Sequence, residues 1–124
     1  MAYLLDTHVL LWWLAGITMS VEAEYAISDA ATPAYVSSVS AWEISIKQGK
    51  GRLVVPDDLP QLIADSGIEV LTVRWSHAWE SGALPTIHQD PFDRLLVAQA
   101  RVEGLTLVTA DQRLRQYDVP IIPA

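Results

Sequence analysis

Apolar and polar residues change period several times along the chain, and the changes mark out short strands and helices. Ala2-Tyr3-Leu4-Leu5, Ala34-Tyr35-Val36-Ser37 (begun by Pro33) and Leu105-Thr106-Leu107-Val108-Thr109 are short apolar runs, as expected of strands covered on both faces. Ile68 to Val73 alternates like a strand, and Val119 to Ile122 carries Pro120, which suits a sheet edge. Between these the spacing turns helical. His8 to Ala15 is apolar nearly all round and closes near Gly16, and residues 20 to 31 follow Ser20, a good helix cap. Ser40-Ala41-Trp42-Glu43 matches the S-x-x-E capping box and predicts a helix to about Gln48, stopped by Gly49-Lys50-Gly51. Pro56 to Ser66 predicts a helix capped by Asp57 or Asp58 and ended by Gly67. Ser76 to Ala83 predicts another, and Leu84 to Gln89 reads as a loop. Asp90 then caps a long helix, with Pro91 at its first position and Gly104 at its end. A short helix from Gln112 to Gln116 precedes the last strand.

Short apolar strands alternating with helices predict an α/β fold: about five parallel strands with helices on both faces. Repeats, low-complexity segments and linkers are absent from the sequence, so residues 1–124 are expected to form a single domain. In such sheets ligands gather beyond the carboxyl ends of the strands, where the strand order switches.

Composition narrows the function. Half the residues are hydrophobic and five are Trp, which argues against disorder. No apolar run approaches the roughly 20 residues that span a bilayer. The run Val9 to Ala15 is too short and lacks the basic flank of a signal peptide, so a cytoplasmic protein without membrane contact is expected. Cysteine is absent, which excludes disulfides, thiolate catalysis and cysteine-ligated zinc. The net charge of −7 argues against broad adhesion to nucleic acid or anionic lipid. It still allows a nucleic-acid enzyme whose acids bind metal, and it suits a basic protein partner.

Four acids are expected on one rim: Asp6 and Asp111 after strands, Glu43 and Asp93 near helix starts. Each has an ordinary reading. Asp6 can cap, Glu43 can close its capping box or pair with Lys47, Asp93 can cap with Asp90, and Asp111 can start a turn. Asp93 fits its ordinary reading least well. At about 100° per residue it shares a helix face with Leu96, Val97 and Ala100, so it heads an inward stripe and needs a cation or donors. Four carboxylates in one poorly hydrated place repel one another, and a divalent cation relieves this. Oxygen ligands without Cys or paired His select Mg²⁺ or Mn²⁺ over zinc.

Leu5-Asp6-Thr7-His8 with Leu10-Leu11-Trp12-Trp13-Leu14, Ser40-Ala41-Trp42-Glu43-Ile44, Leu84-Pro85 through His88 to Asp90-Pro91-Phe92-Asp93-Arg94-Leu95-Leu96, and Thr109-Ala110-Asp111 occur in order. With these motifs the chain resembles the PIN-domain endoribonucleases, and closely the VapC toxins of bacterial toxin–antitoxin pairs. The resemblance covers essentially the whole chain and implies a PIN-like fold. It also implies an acidic site of Asp6, Glu43, Asp93 and Asp111 that holds Mg²⁺ or Mn²⁺, with Thr7 and Thr109 as supporting groups. Asp90 matches the family's run, although a cap needs nothing more. His8, His77 and His88 are not implied as ligands; His88 is either a solvated loop residue or an RNA contact. The implied reaction is hydrolysis of an RNA phosphodiester by an activated water, leaving a 5′-phosphate and a 3′-hydroxyl. The implied partners are RNA, a VapB-like antitoxin more basic than this chain, and a second copy in a homodimer. Trp12, Trp13 and their apolar neighbours exceed what one helix face can bury, which fits an interface.

Two other classes share parts of this pattern. A phosphoryl-transfer enzyme with an aspartyl nucleophile would want a second Asp two residues after Asp6, where His8 stands. A receiver domain would want a Lys after a late strand, where Thr109-Ala110-Asp111 stands. A non-catalytic interaction module would use its Trp residues to bind a partner and its acids only as caps.

Overall fold

The computed structural model describes residues 2–124. The strands are β1 (Tyr3–Leu5), β2 (Ala34–Ser37), β3 (Glu69–Leu71), β4 (Thr106–Thr109) and β5 (Ile121–Pro123). The helices are α1 (Thr7–Leu14), α2 (Val21–Ser28), α3 (Ser38–Gly49), α4 (Leu59–Asp65), α5 (Trp75–Ala83) and α6 (Pro91–Glu103), with a 3-10 turn at Gln112–Gln116. All five strands lie parallel in the order β3-β2-β1-β4-β5. Leu5 sits opposite Val36 on one side and Val108 on the other, so β1 is central.

The apolar runs predict burial on both faces because successive side chains point opposite ways. Leu4 and Leu107 pack with Leu96, Val97 and Ala100 of α6. Leu5, Val36 and Val108 pack on the other face with Val9 and Leu10 of α1 and Ala23 and Ala26 of α2. A fully buried Leu of this kind contributes about 2 kcal/mol. Helix α6 ends at Gly104, whose left-handed φ of 68° turns the following Leu105 N–H back onto the Ala100 carbonyl at 2.8 Å. Helix α5 buries little apolar surface and is held by polar contacts instead. The buried His77 ring accepts from the Arg74 N–H at 3.0 Å and meets Glu103 at 2.9 Å. Among the described residues, no helix is long and apolar enough to cross a membrane.

The S-x-x-E reading of α3 is corrected by the structure. The cap lies one turn earlier, where the Ser37 hydroxyl accepts from the Val39 N–H, so α3 starts at Ser38 and Ser40 is already helical. Glu43 therefore sits inside the helix and is buried. Helix α2 ends at Ser28, before the expected residue 31, because the Asp29 carboxylate accepts from the Ala31 N–H and the Thr32 hydroxyl. Helix α4 starts at Leu59 because a turn closes from Pro56 to Leu59 first. Trp12 and Trp13 are half-buried against the second core, and the most exposed tryptophans are Trp75, Trp79 and Trp42.

Candidate metal centre

The strand order switches beside β1: the chain runs from β1 to β2 on one side and later returns to β4 on the other. The carboxyl ends of β1 and β4 therefore open a crevice, as doubly wound sheets do. Asp6 directly follows β1, and Asp111 stands just past β4. Asp6, Glu43, Asp90, Asp93 and Asp111 line one open cavity of about 390 Å³, joined by His8, Trp12, Lys47 and Arg113.

Asp6, Glu43, Asp90 and Asp111 are each held by hydrogen-bond donors. Asp6 caps α1 by accepting from the His8 N–H at 3.1 Å, and the buried Thr109 hydroxyl donates to its other oxygen at 2.6 Å. Thr7 donates to Glu43 Oε1 at 2.7 Å, so the Ser40 hydroxyl at 2.8 Å must donate to Thr7. The second Glu43 oxygen faces the Lys47 ammonium one turn on. Asp111 is gripped by the Arg113 guanidinium and backbone. Asp90 caps α6 through the Phe92 and Asp93 N–H groups, which accounts for it without a further role.

The electrostatics are uneven. Burial pushes the Asp93 carboxyl up to about 8, and Asp6, Asp90, Glu43 and Asp111 add repulsion in the same direction. Burial also raises Asp6, against the opposing hydrogen bonds from Thr109 and His8. Asp111 moves the other way because Arg113 bonds it. The hydrogen bond to Glu43 raises Lys47. Carboxyl oxygens that crowd, repel and retain free lone pairs form a hard donor set, and the residues present fit Mg²⁺ or Mn²⁺. His88, Asp93 and Asp111 also offer three atoms within 4.8 Å of one another.

All four predicted acids thus reach one cavity, and Thr7 and Thr109 each hold one of them. His88 departs from the sequence reading. It is buried rather than solvated, its Nε2 standing 3.0 Å from Asp93 and 3.2 Å from Asp111. Nothing local in Ile87-His88-Gln89 signals this, because its partners arrive from elsewhere in the chain. Arg113 was also unforeseen at the site; only its position two residues after Asp111 could have pointed to it. His77 lies with Glu103, and His8 is exposed at the cavity mouth.

Comparison with known proteins agrees with this architecture. The chain is 36% identical over 123 residues to Ribonuclease VapC22 of Mycobacterium tuberculosis, covering 94% of this chain and 92% of that protein. VapBC2 from Rickettsia felis, solved bound to a DNA fragment from their promoter, matches with a TM-score of 0.72 at 18% identity, over 99% of this chain and 98% of that one. DNA-bound VapBC from Salmonella typhimurium matches with a TM-score of 0.71 at 17% identity, also over 99% and 98%. At such identities the two structures speak for the fold alone. Residues 3–120 match the PIN domain, and with that match spanning β1 to β4 and the acidic crevice, the chain belongs to the PIN domain family.

Proposed function

We propose that this chain, folded as one domain, is a metal-dependent endoribonuclease and the toxin of a VapBC-type toxin–antitoxin pair. The observation that carries this reading is the convergence of Asp6, Glu43, Asp93 and Asp111 on one open cavity at the strand-order switch. The relative named Ribonuclease VapC22 supports it.

Asp6, Glu43, Asp93 and Asp111 would hold Mg²⁺ or Mn²⁺. The chemistry such an ion supplies when bound is a more acidic water and neutralised charge at phosphorus. The protein's own groups do the rest. Thr109 and the His8 N–H fix the plane of Asp6, and Thr7 fixes that of Glu43, so two carboxylates are oriented before substrate arrives. An RNA phosphate entering an acidic cavity is repelled by those carboxylates. Lys47 and Arg113, both on the cavity wall, offset this by offering cations to the flanking phosphates. Water is the nucleophile in this scheme, and no side chain attacks phosphorus.

Glu43→Gln tests the site. Gln still accepts from Thr7 and still fits the helix, so the metal-free protein should keep its melting temperature to within a few degrees. Lys47 is one-third exposed and can turn to solvent. RNA cleavage with Mg²⁺ or Mn²⁺ should nevertheless fall by about 100-fold or more, beyond the range of an outer partner. Stability and activity both retained would return Glu43 to a structural role and favour the interaction module.

The partner reading rests on exposed apolar surface. Trp75 and Trp79 project from α5, and an apolar groove of about 530 Å³ runs between α3 and α4 past Ile44, Leu59 and Ile63. We place a second copy and a basic antitoxin on such surfaces. A dimer by light scattering at micromolar concentration, and tight binding of the protein encoded next to it, are the expected results. A monomer that ignores its neighbour would count against the assignment.

A further inference from the structure

We infer that His88 is a positioning residue of the metal site: its Nε2–H is hydrogen-bonded to Asp111 and stands against Asp93, so it keeps the two carboxylates side by side and is barred from ligating the metal itself. The inference deepens the ribonuclease reading and rests on it. It starts from hydrogen-bond direction. A backbone N–H can only donate, and the Asp90 N–H lies 3.2 Å from His88 Nδ1. Nδ1 therefore presents its lone pair, and the ring proton sits on Nε2.

Nε2 then faces two acceptors. It is hydrogen-bonded to Asp111 Oδ2 at 3.2 Å, and Asp93 Oδ2 lies 3.0 Å from the same nitrogen. A ligand needs a free lone pair, and at Nε2 a proton occupies it. The closeness of His88 to Asp93 and Asp111, which on distance alone would suggest a mixed nitrogen and oxygen site, is thus the contact of an orienting group with two oxygen ligands.

The ring cannot easily swing away. His88 is only 7% exposed, its N–H donates to the buried Tyr117 hydroxyl at 3.0 Å, and its carbonyl accepts from Arg94 at 3.3 Å. Arg94 follows Asp93 on α6, and Tyr117 closes the 3-10 turn that begins after Asp111. The groups that clamp His88 thus belong to the same two segments whose carboxylates it joins. Among the described residues, no other side chain is paired with both Asp93 and Asp111.

The test uses the full chain stripped with EDTA and titrated with Mn²⁺ by calorimetry, followed by pulsed EPR of the bound ion. Wild-type Mn²⁺ should show no directly coordinated nitrogen. His88→Ala should weaken Mn²⁺ binding by about 10- to 100-fold, the range for outer partners of metal ligands. It should lower kcat for RNA more than it changes KM. His88→Gln, whose amide can donate from a similar distance, should recover most of the Mn²⁺ affinity. Coordinated nitrogen in the wild type would overturn the inference, as would unchanged Mn²⁺ affinity in His88→Ala or no recovery in His88→Gln. If His88→Ala fails to fold, the wild-type spectrum and the Gln variant still decide. Asp93→Asn separates the two readings: if it keeps both Mn²⁺ binding and RNA cleavage, the ribonuclease site itself is wrong. If it loses both while the His88 results go the other way, only the role of His88 is wrong.

Discussion

Asp93→Asn should abolish RNA cleavage and, in EDTA, yield a protein more stable than the wild type near neutral pH. The first half follows from losing a charged oxygen at the centre of the cavity; a drop of about 100-fold or more is expected, beyond the range of an outer partner. The second half follows from linkage. In the metal-free fold the Asp93 carboxyl titrates at about 8, against an ordinary value of 3.8. Below the ordinary value both folded and unfolded chains hold the proton, and Asp93 costs the fold nothing in charge. As pH rises further the unfolded chain gives up its proton while the folded one keeps it. Stability then falls by up to about 1.4 kcal/mol per pH unit, levelling off above the folded value. Asn imitates the neutral carboxyl throughout and escapes this loss. Thermal melts of both proteins in EDTA from pH 4 to 9 should start close together and diverge as pH rises. Adding Mn²⁺ should reverse the order, because only the wild type gains by binding. Curves that stay parallel, or an Asn variant that cleaves RNA, would contradict the reading.

The largest structural effect is expected at Arg94. Its guanidinium donates to the Ser81 carbonyl at 2.8 Å, Leu84 at 3.2 Å, Pro85 at 3.0 Å and His88 at 3.3 Å, and reaches the Tyr117 hydroxyl at 3.4 Å. One planar cation therefore supplies the connection between α5 and α6 with most of its donors. An ammonium at the same place has three donors on a point charge and cannot fan out in this way. Arg94→Ala takes the guanidinium from the Ser81 and Leu84 carbonyls and leaves Pro85 and His88 with weaker partners, the Ile87 N–H and the Tyr117 hydroxyl; it should cost about 3 kcal/mol, with a melting temperature lower by roughly 10 °C. Arg94→Lys should recover only a minor part of that. Both variants should also bind Mn²⁺ more weakly, because the His88 backbone loses a clamp. A melting temperature within two or three degrees of wild type for Arg94→Ala would show that the loop does not depend on this side chain.

Residues whose environment is set by near neighbours were readable in the sequence. Asp6 ends a buried run and Asp90 precedes Pro91, and both do as capping rules predict. The acids were readable together because an apolar strand that ends in Asp points it to the carboxyl edge of a parallel sheet. Glu43 was placed correctly in space for a partly wrong local reason. Ser37 and Ser40 both offer a hydroxyl three residues apart, and local pattern cannot say which one caps. The structure chooses Ser37 because Ser40 is drawn inward to Thr7, across a gap of 33 residues. His88 was beyond reach for the same reason in stronger form. Its burial depends on Tyr117, 29 residues on, and on Asp111, 23 residues on, and no window of sequence around it contains either.

Placing β1 at the middle of the sheet has a consequence in time. Strand β1 is made before either of the neighbours it needs, and its second neighbour, β4, comes about a hundred residues later. Contacts this far apart form late, because the intervening chain must be ordered before they can hold. The hydroxyl that fixes Asp6 belongs to Thr109, so a nascent chain carries its first acid long before it carries the group that aims it. Until β4 has joined the sheet, the acidic cavity therefore lacks both Asp111 and the hydroxyl that orients Asp6.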